Sequence, residues 1–275
     1  MKAWLVLTKW QTQLITNDNN LYINYDRPIN NIPINKKQQM KKDRLSYSAL
    51  SQFSKSPNHL LSYWKDEFEP TPAMLFGSLL HKMILEPETF SIDYAVYEGT
   101  RRGSAWNEFK ALNDTKTIVT AKEYNTALKT FENAKQSKML KDLLMKTNET
   151  EKHIDWQYNE VNYHGYCDMV GDDFIADIKI VQDAGEKFAR DLRYNDYSLQ
   201  AAMYLTGLPK ENYYIIAIEK TSPYNVQVYK FGEQILNTAN KRYYYLNEQY
   251  KNWDGSPQSY NTGIVTIGEN EFISV

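Results

Sequence analysis

Apolar residues recur at helical spacing between residues 45 and 146. The clearest example follows Pro72, where apolar side chains lie three or four positions apart until Pro87 ends the pattern. Ser46 and Ser56 stand where helices commonly begin, because a serine side chain can accept a hydrogen bond from the first turn. The same spacing predicts a helix around 106–112 and one long helix over 121–146. This part of the chain is therefore predicted to be helical.

The pattern changes to that of β-strands after residue 153. Three segments rich in β-branched and aromatic residues are predicted as successive strands: Ile154–Tyr158, Tyr163–Val170 and Phe174–Val181. Gly171–Asp173 predicts a tight turn between the last two. The pattern then predicts two helices, two strands and a final helix, at 185–192, 197–205, 213–218, 226–231 and 233–253. This order of elements predicts a mixed α/β (α+β) fold with a central sheet and flanking helices.

The two ends of the chain differ from the region between them. Residues 17–42 are rich in Asn, Pro, Gln and Lys and have few spaced apolar positions, which is typical of irregular segments. We therefore predict an irregular arm over 1–43, a single domain over 44–255 and a C-terminal tail over 256–275.

The charge balance argues against one class of nucleic-acid-binding protein. The chain has 32 Lys+Arg and 34 Asp+Glu, a net charge of −2, whereas proteins that passively coat DNA carry a strongly basic face. A protein that binds phosphate groups through metal ions remains compatible with this balance, because divalent cations bound at a carboxylate-rich site restore positive charge where phosphate binds.

Cysteine usage and hydropathy limit the compartment and the cofactors. Cys167 is the one cysteine of the chain, which excludes an intramolecular disulfide and any four-cysteine zinc or iron–sulfur site. The apolar run Ala3–Leu7 is too short for the hydrophobic region of a signal peptide, and no run approaches transmembrane length. We expect a cytoplasmic protein with no membrane partner.

Two carboxylates and one lysine are the residues with the clearest chemistry. Asp177 and Lys179 are two positions apart on a predicted strand, so their side chains lie on the same face. The predicted hairpin brings Asp168 beside Asp177. Paired carboxylates bind Mg²⁺ or Mn²⁺, and such a cation promotes phosphodiester hydrolysis by polarising the phosphate and activating water. The alternative is a surface hairpin with an ordinary Asp–Lys ion pair.

Four segments in a fixed order carry a family resemblance. They are Leu45–Pro57, Phe76–His81 followed by Leu85–Pro87, Gly165–Asp168 with Asp177–Lys179, and Gln200–Tyr204 with its Gln-X-X-X-Tyr spacing. Together they resemble the RecB-like branch of the PD-(D/E)XK nucleases, and most closely the exonuclease VIII group with its phage relatives. The resemblance covers roughly residues 44–255 and implies a restriction-endonuclease-like core.

The resemblance also implies roles for individual residues. It makes Lys179 the catalytic lysine and gives the metal four ligands: His81, Asp168, Asp177 and the carbonyl of Ile178. Gln200 and Tyr204 lie at i and i+4 on one helix face. Either would contact substrate or brace the lysine, and the alternative for both is packing onto the sheet.

Several residues have competing interpretations. Without the resemblance, His81 on an apolar helix face is more often a core histidine, and His164 is a rival ligand because it shares strand parity with Asp168. Gly77, one helical turn before His81, would let another backbone approach closely, or would serve packing alone. Two further pairs are candidates: Arg101 and Arg102 for a terminal phosphate, and Glu149 and Glu151, placed before the first strand, for an additional carboxylate.

The function implied by the resemblance is metal-dependent DNA hydrolysis. We expect an exonuclease that uses Mg²⁺ or Mn²⁺ to degrade one strand of linear double-stranded DNA from the 5′ end. The enzymes that the chain resembles typically act as toroidal oligomers and work with a single-strand annealing protein in phage-type recombination. We therefore expect a homo-oligomer in the cytoplasm of a bacterial or phage-infected cell. The alternatives are an inactive DNA-binding or assembly protein on a nuclease fold, and a single-strand- or flap-directed repair nuclease.

Overall fold

The computed structural model describes residues 43–66 and 69–257. The predicted arm, apart from residue 43, and the predicted tail, apart from residues 256 and 257, lie outside the described residues. The limits of the predicted domain stay a prediction.

Ten α-helices and seven β-strands are formed by the described residues. The helices are α1 (Tyr47–Phe53), α2 (Pro57–Lys65), α3 (Pro72–Leu85), α4 (Phe90–Asp93), α5 (Gly103–Leu112), α6 (Ala121–Ala134), α7 (Lys138–Lys146), α8 (Glu186–Tyr194), α9 (Tyr197–Gly207) and α10 (Glu233–Asn252). The strands are β1 (Tyr94–Tyr97), β2 (Thr117–Thr120), β3 (Thr147–Tyr158), β4 (Val161–Gly171), β5 (Phe174–Val181), β6 (Asn212–Glu219) and β7 (Val226–Lys230).

Five strands form a mixed central sheet in the order β3-β4-β5-β6-β7. Neighbouring strands are antiparallel except β5 and β6, which run parallel. A parallel pair needs a crossover connection, and α8 and α9 provide it. The sheet and its helices confirm the predicted fold class. The parallel pair β1–β2 was not predicted, because each of its strands has only four residues.

Serine and threonine caps fix the starts of the first helices. The side chains of Ser46, Ser56 and Thr71 accept hydrogen bonds from backbone N–H groups in the first turns of α1, α2 and α3. Capping of this kind satisfies donors that have no partner within the helix. The helix starts predicted at Ser46 and Ser56 are therefore confirmed, as is the end of α3 ahead of Pro87.

The single long helix predicted over 121–146 is wrong. Two helices, α6 and α7, occupy this region and are separated at residues 135–137. Ser137 begins α7 as its N-cap, with its side chain accepting a hydrogen bond from the N–H of Leu140. The apolar periodicity continues across the break, because a single N-cap residue interrupts the helix without changing the spacing of the apolar positions. Periodicity alone therefore predicts one helix.

Strand β3 begins at Thr147, seven residues before the predicted start. Glu149 and Glu151 therefore lie within this strand, and the prediction that they precede it is wrong. The cause is the weak apolar signal at this end of the strand, whose residues are mostly half-buried or exposed.

Each face of the sheet contributes to a separate hydrophobic cluster. Ile175, Ile215 and Ala217 pack on one face with side chains of α1, α9 and α10. Ala176 and Ile178 pack on the opposite face with side chains of α3 and α7. The sheet is thus enclosed by helices on both sides. No helix within the described residues is long and apolar enough to cross a membrane.

The alternation of β4 between these two faces breaks at Asp168. Cys167 belongs to the cluster with α9, but Met169, two positions later, belongs to the cluster with α3. Residues i and i+2 of a regular strand lie on the same face, so the backbone is irregular between them. Opposite this point, Glu151 has a left-handed backbone with φ of +49°.

Candidate active site

The predicted metal ligands converge where β4 and β5 separate. Pairing between these strands is limited to Met169 with Ala176 and Val170 with Ile175. Beyond these pairs, the Ile178 N–H donates a 2.6 Å hydrogen bond to Asp168 Oδ2 instead of to a strand carbonyl. The backbone of Ile178 therefore fixes the position of the Asp168 carboxylate.

His81 reaches the same point from α3. Its Nε2 lies 2.9 Å from the carbonyl oxygen of Ile178, and its Nδ1 lies 3.6 Å from Asp168 Oδ2. Burial lowers the pKa of His81, and the nearby Lys179 ammonium acts in the same direction against the charge of Asp177. A neutral imidazole is the form of histidine that binds metals.

Asp177 is held by two polar neighbours. Its Oδ1 accepts a 2.8 Å hydrogen bond from Gln200 Nε2, and its Oδ2 lies 2.6 Å from Lys179 Nζ. The contact with Lys179 is an ion pair, since Oδ2 has no partner with hydrogen-bond geometry. Asp177 is only 4% exposed, so its charge requires these neighbours.

The carboxylates and the lysine shift the pKa values of one another. Burial and then the charge of Asp177 raise the pKa of Asp168 well above its ordinary value, against the lowering effects of Lys179 and the Ile178 N–H. Burial lowers the pKa of Lys179, but Asp177 and Asp168 raise it more, so the net change is upward. The lysine is therefore charged at neutral pH, and its ammonium can donate hydrogen bonds to a bound ligand.

Glu151 brings a further carboxylate to this group. Its Oε1 lies 4.0 Å from His81 Nδ1, and donor atoms of His81, Glu151 and Asp168 all lie within 4.8 Å of one another. Burial, followed by the charge of Glu86, raises the pKa of Glu151. Glu149 and Glu151 were equal candidates in the sequence, but Glu149 forms an ion pair with Lys152 instead.

The possible ligand atoms of this group of residues suit a divalent cation. Carboxylate oxygens, a backbone carbonyl and a neutral imidazole are all metal ligands. Asp168 is only 8% exposed, and Asp168 and Glu151 form no ion pair with a lysine or arginine among the described residues. A cation bound by His81, Asp168, Asp177 and the Ile178 carbonyl would neutralise the negative charge that Lys179 leaves uncompensated.

Helix α9 positions Gln200 and Tyr204 differently from each other. Gln200 contacts Asp177, and its Oε1 is buried without a hydrogen-bond partner among the described residues. Tyr204 packs over Gly165, where an added Cβ would lie 2.8 Å from the tyrosine ring, and its ring also meets Trp156 edge-on. Gln200 thus contacts a carboxylate of the candidate site, whereas Tyr204 mainly packs onto the sheet.

Tyr197 is a site residue that sequence reasoning missed. Lys179 Nζ lies 5.1 Å from the centroid of its ring, a distance typical of cation–π contacts. Tyr197 is the first residue of α9, and Asp196 before it forms a hydrogen bond and an ion pair with Arg242. Tyr197 lies three residues before Gln200, so both side chains lie on one helix face. This spacing is the sequence signal that could have identified Tyr197.

Four other predicted positions lie apart from the carboxylates or face open space. His164 lies beside His153, with charges of Arg44 and Asp155 nearby, because the irregular backbone at Asp168 breaks the strand parity.

Arg101 binds Glu123 and the carbonyl of Ile118. Arg102 is exposed, and its side chain makes no polar contact with the described residues. The close approach predicted at Gly77 is wrong, since an added Cβ there meets nothing within 4 Å.

Comparison with protein families identifies this arrangement. A family model described as a PDDEXK-like domain of unknown function (DUF3799) matches residues 46–258. The chain belongs to this family. It is thus a member of the PD-(D/E)XK nuclease superfamily, which confirms the superfamily that the four sequence segments indicated.

One solved structure supports the fold of the chain. A candidate exonuclease from Eubacterium rectale is similar to the chain with 14% identity and a TM-score of 0.58, over 78% of this chain and 82% of that chain. A second structure, SSO0001, has 12% identity over 62% of this chain and 86% of its own, and its TM-score of 0.26 is too low to support an argument. A comparison with curated proteins gives no match.

Proposed function

We propose that this PDDEXK-like protein is a metal-dependent DNA exonuclease. The observation that carries the proposal is the convergence of Asp168, Asp177 and Lys179 with His81 and the Ile178 carbonyl. Two carboxylates, a histidine and a charged lysine at one point are the groups that metal-assisted phosphodiester hydrolysis requires.

The metal supplies the part of the chemistry that side chains alone cannot. His81, Asp168, Asp177 and the Ile178 carbonyl would hold Mg²⁺ or Mn²⁺. When bound, the cation would act as a Lewis acid on the scissile phosphate and would activate a water molecule for in-line attack.

The protein's own residues orient the reacting groups. Lys179 would donate a hydrogen bond to the phosphate or to the attacking water, because its ammonium is charged and lies 2.6 Å from Asp177 Oδ2. Tyr197 limits the movement of this ammonium through its ring contact. Gln200 fixes Asp177 through Oδ1. Arg102, exposed on the loop before α5, would contact backbone phosphates as a mobile cation.

The substrate and cellular role extend the same proposal. The substrate would be linear double-stranded DNA degraded from the 5′ end, in phage-type recombination within the cytoplasm of a bacterial or phage-infected cell. The partners would be a single-strand annealing protein and further copies of the chain. The four sequence segments shared with exonuclease VIII-type enzymes support these statements.

End-labelled duplexes test the activity, the metal and the polarity together. A blunt duplex with a fluorophore at the 5′ or the 3′ end should, with Mg²⁺, release the 5′ label first and leave the 3′ label on a shortened strand. EDTA should stop both reactions. Asp177→Asn should lower the rate more than about tenfold, and the matched Asp172→Asn change, at an exposed residue of the β4–β5 turn, should not.

The same assay separates the competing functions. Preferential cleavage of flap or single-stranded substrates would support a repair nuclease. DNA binding without cleavage of any substrate would support an inactive assembly protein. Full activity in EDTA would contradict the metal-dependent mechanism.

A further inference from the structure

We propose that Glu151 of β3 is a ligand of the divalent cation held by His81 and Asp168. This inference rests on the proposed function and goes beyond the four ligands that the family resemblance implies. It assigns to the metal site a carboxylate from a third strand of the sheet, in addition to those from β4 and β5.

The geometry of β3 singles out Glu151 from its neighbours. The β3–β4 pairs on either side, Thr150 with Met169 and Lys152 with Cys167, keep one register. In this register Glu151 lies opposite Asp168, although the two residues do not themselves pair. Its φ of +49° is a left-handed conformation that costs free energy in a residue other than glycine. The side chain that results lies 4.0 Å from His81 Nδ1.

Unpartnered ligand atoms in the cluster indicate a cation rather than a protein contact. Asp177 Oδ2 is buried without a hydrogen-bond partner among the described residues, and the Asp177 side chain is only 6% exposed. The hydrogen bond and the close histidine contact of the buried Asp168 carboxylate both involve its Oδ2. Glu151 likewise has no donor from a lysine, an arginine or a backbone N–H in the described ranges. Both carboxylates instead lie close to His81, whose Nδ1 is 4.0 Å from Glu151 Oε1 and 3.6 Å from Asp168 Oδ2.

The balance of charges at the site also indicates that a cation binds there. The carboxylates of Glu151 and Asp168 lie together with His81, and Asp177 is close enough for its charge to act on both of them. Lys179 is the one ammonium in ion-pair contact with these three carboxylates among the described residues. Carboxylates so close repel one another unless a cation lies between them. Glu149, two positions earlier on β3, has its own lysine partner, Lys152, and is more than half exposed. Glu149 is therefore the matched control.

Mn²⁺ binding to the full chain, measured by electron paramagnetic resonance and by calorimetry, tests the proposal without requiring catalysis. Glu151→Gln should weaken Mn²⁺ binding about tenfold or more, and Glu149→Gln should leave the affinity within about twofold of wild type. Glu151→Gly removes the carboxylate and suits the left-handed backbone. It should weaken Mn²⁺ binding to a similar degree while its metal-free melting temperature equals or exceeds that of wild type.

The outcomes separate this inference from the proposed function. If wild type binds Mn²⁺ and Glu151→Gln binds it within about twofold as tightly, while Asp168→Asn binds it weakly, Glu151 is not a ligand and the proposed function stands. If wild type itself binds no Mn²⁺ or Mg²⁺, the metal-dependent function is overturned and the inference with it.

Discussion

Lys179→Met separates the catalytic role of the lysine from its structural role. Methionine keeps much of the apolar stem and removes the ammonium that contacts Asp177 and the Tyr197 ring. A catalytic lysine and a lysine that merely completes an ion pair give different combinations of turnover and stability, so both must be measured on the same variant.

The expected magnitudes follow from the burial of the pair. The Lys179 and Asp177 side chains are 25% and 6% exposed, with 2.6 Å between Nζ and Oδ2. Removing one member of a buried ion pair costs about 3–5 kcal/mol, and the partial exposure of Lys179 favours the lower end, about 3 kcal/mol. Losing one preorganised donor to the reacting phosphate should lower turnover by roughly 10²–10³-fold. Saturating Mg²⁺ should recover part of the stability, because the cation would neutralise the same carboxylates, but it should not recover turnover.

Urea unfolding with and without Mg²⁺, beside single-turnover cleavage of an end-labelled duplex, gives the required measurements. Lys152→Met is the matched control, because Lys152 lies on β3 and pairs with Glu149 at a more exposed position. Its loss should cost less than about 1 kcal/mol and leave turnover nearly unchanged. A Lys179→Met protein that cleaves DNA within about threefold of the wild-type rate would refute the catalytic role.

Three further predictions concern residues around the site. Gly77→Ala should raise the free energy of unfolding in urea by about 0.5–1 kcal/mol, because alanine favours the helix interior and its Cβ meets open space. Gln200→Leu should leave Asp177 Oδ1 without its buried donor, lower stability by about 1–3 kcal/mol, and reduce kcat more than it raises KM. Arg102→Ala should weaken DNA binding and reduce the slope of log affinity against log salt by about 1. Arg101→Ala should instead lower the melting temperature, because Arg101 binds Glu123.

The β4–β5 hairpin of the candidate site could be predicted because side chains alternate strictly between the two faces of a short regular strand. Asp177 and Lys179 lie on one face of β5, and Ala176 and Ile178 pack in the core on the other. The turn between β4 and β5 is so short that it determines which residues oppose one another. The mixed sheet followed from the same local patterns.

Local irregularities of the backbone explain what the sequence could not predict. Strand parity made His164 a rival of His81, but the alternation of β4 breaks before Met169. Parity also cannot identify Glu151, whose left-handed backbone determines where its carboxylate lies. The separation of α6 from α7 at Ser137 is of the same kind. Side-chain periodicity reports regular elements, whereas these features depend on single backbone torsions and caps.

The divergence of β4 from β5 explains why this fold can assemble a site of mixed donors. Strand β5 pairs with β6 along its whole length, from Phe174 to Val181, so one edge of β5 is held rigidly. Its other edge pairs with β4 only as far as Ala176. Beyond that residue, the backbone groups of Ile178 are available to Asp168 and His81. The sheet therefore fixes Asp177 and Lys179 through β6, and the unpaired edge of β5 positions the proposed metal ligands that come from β4 and α3.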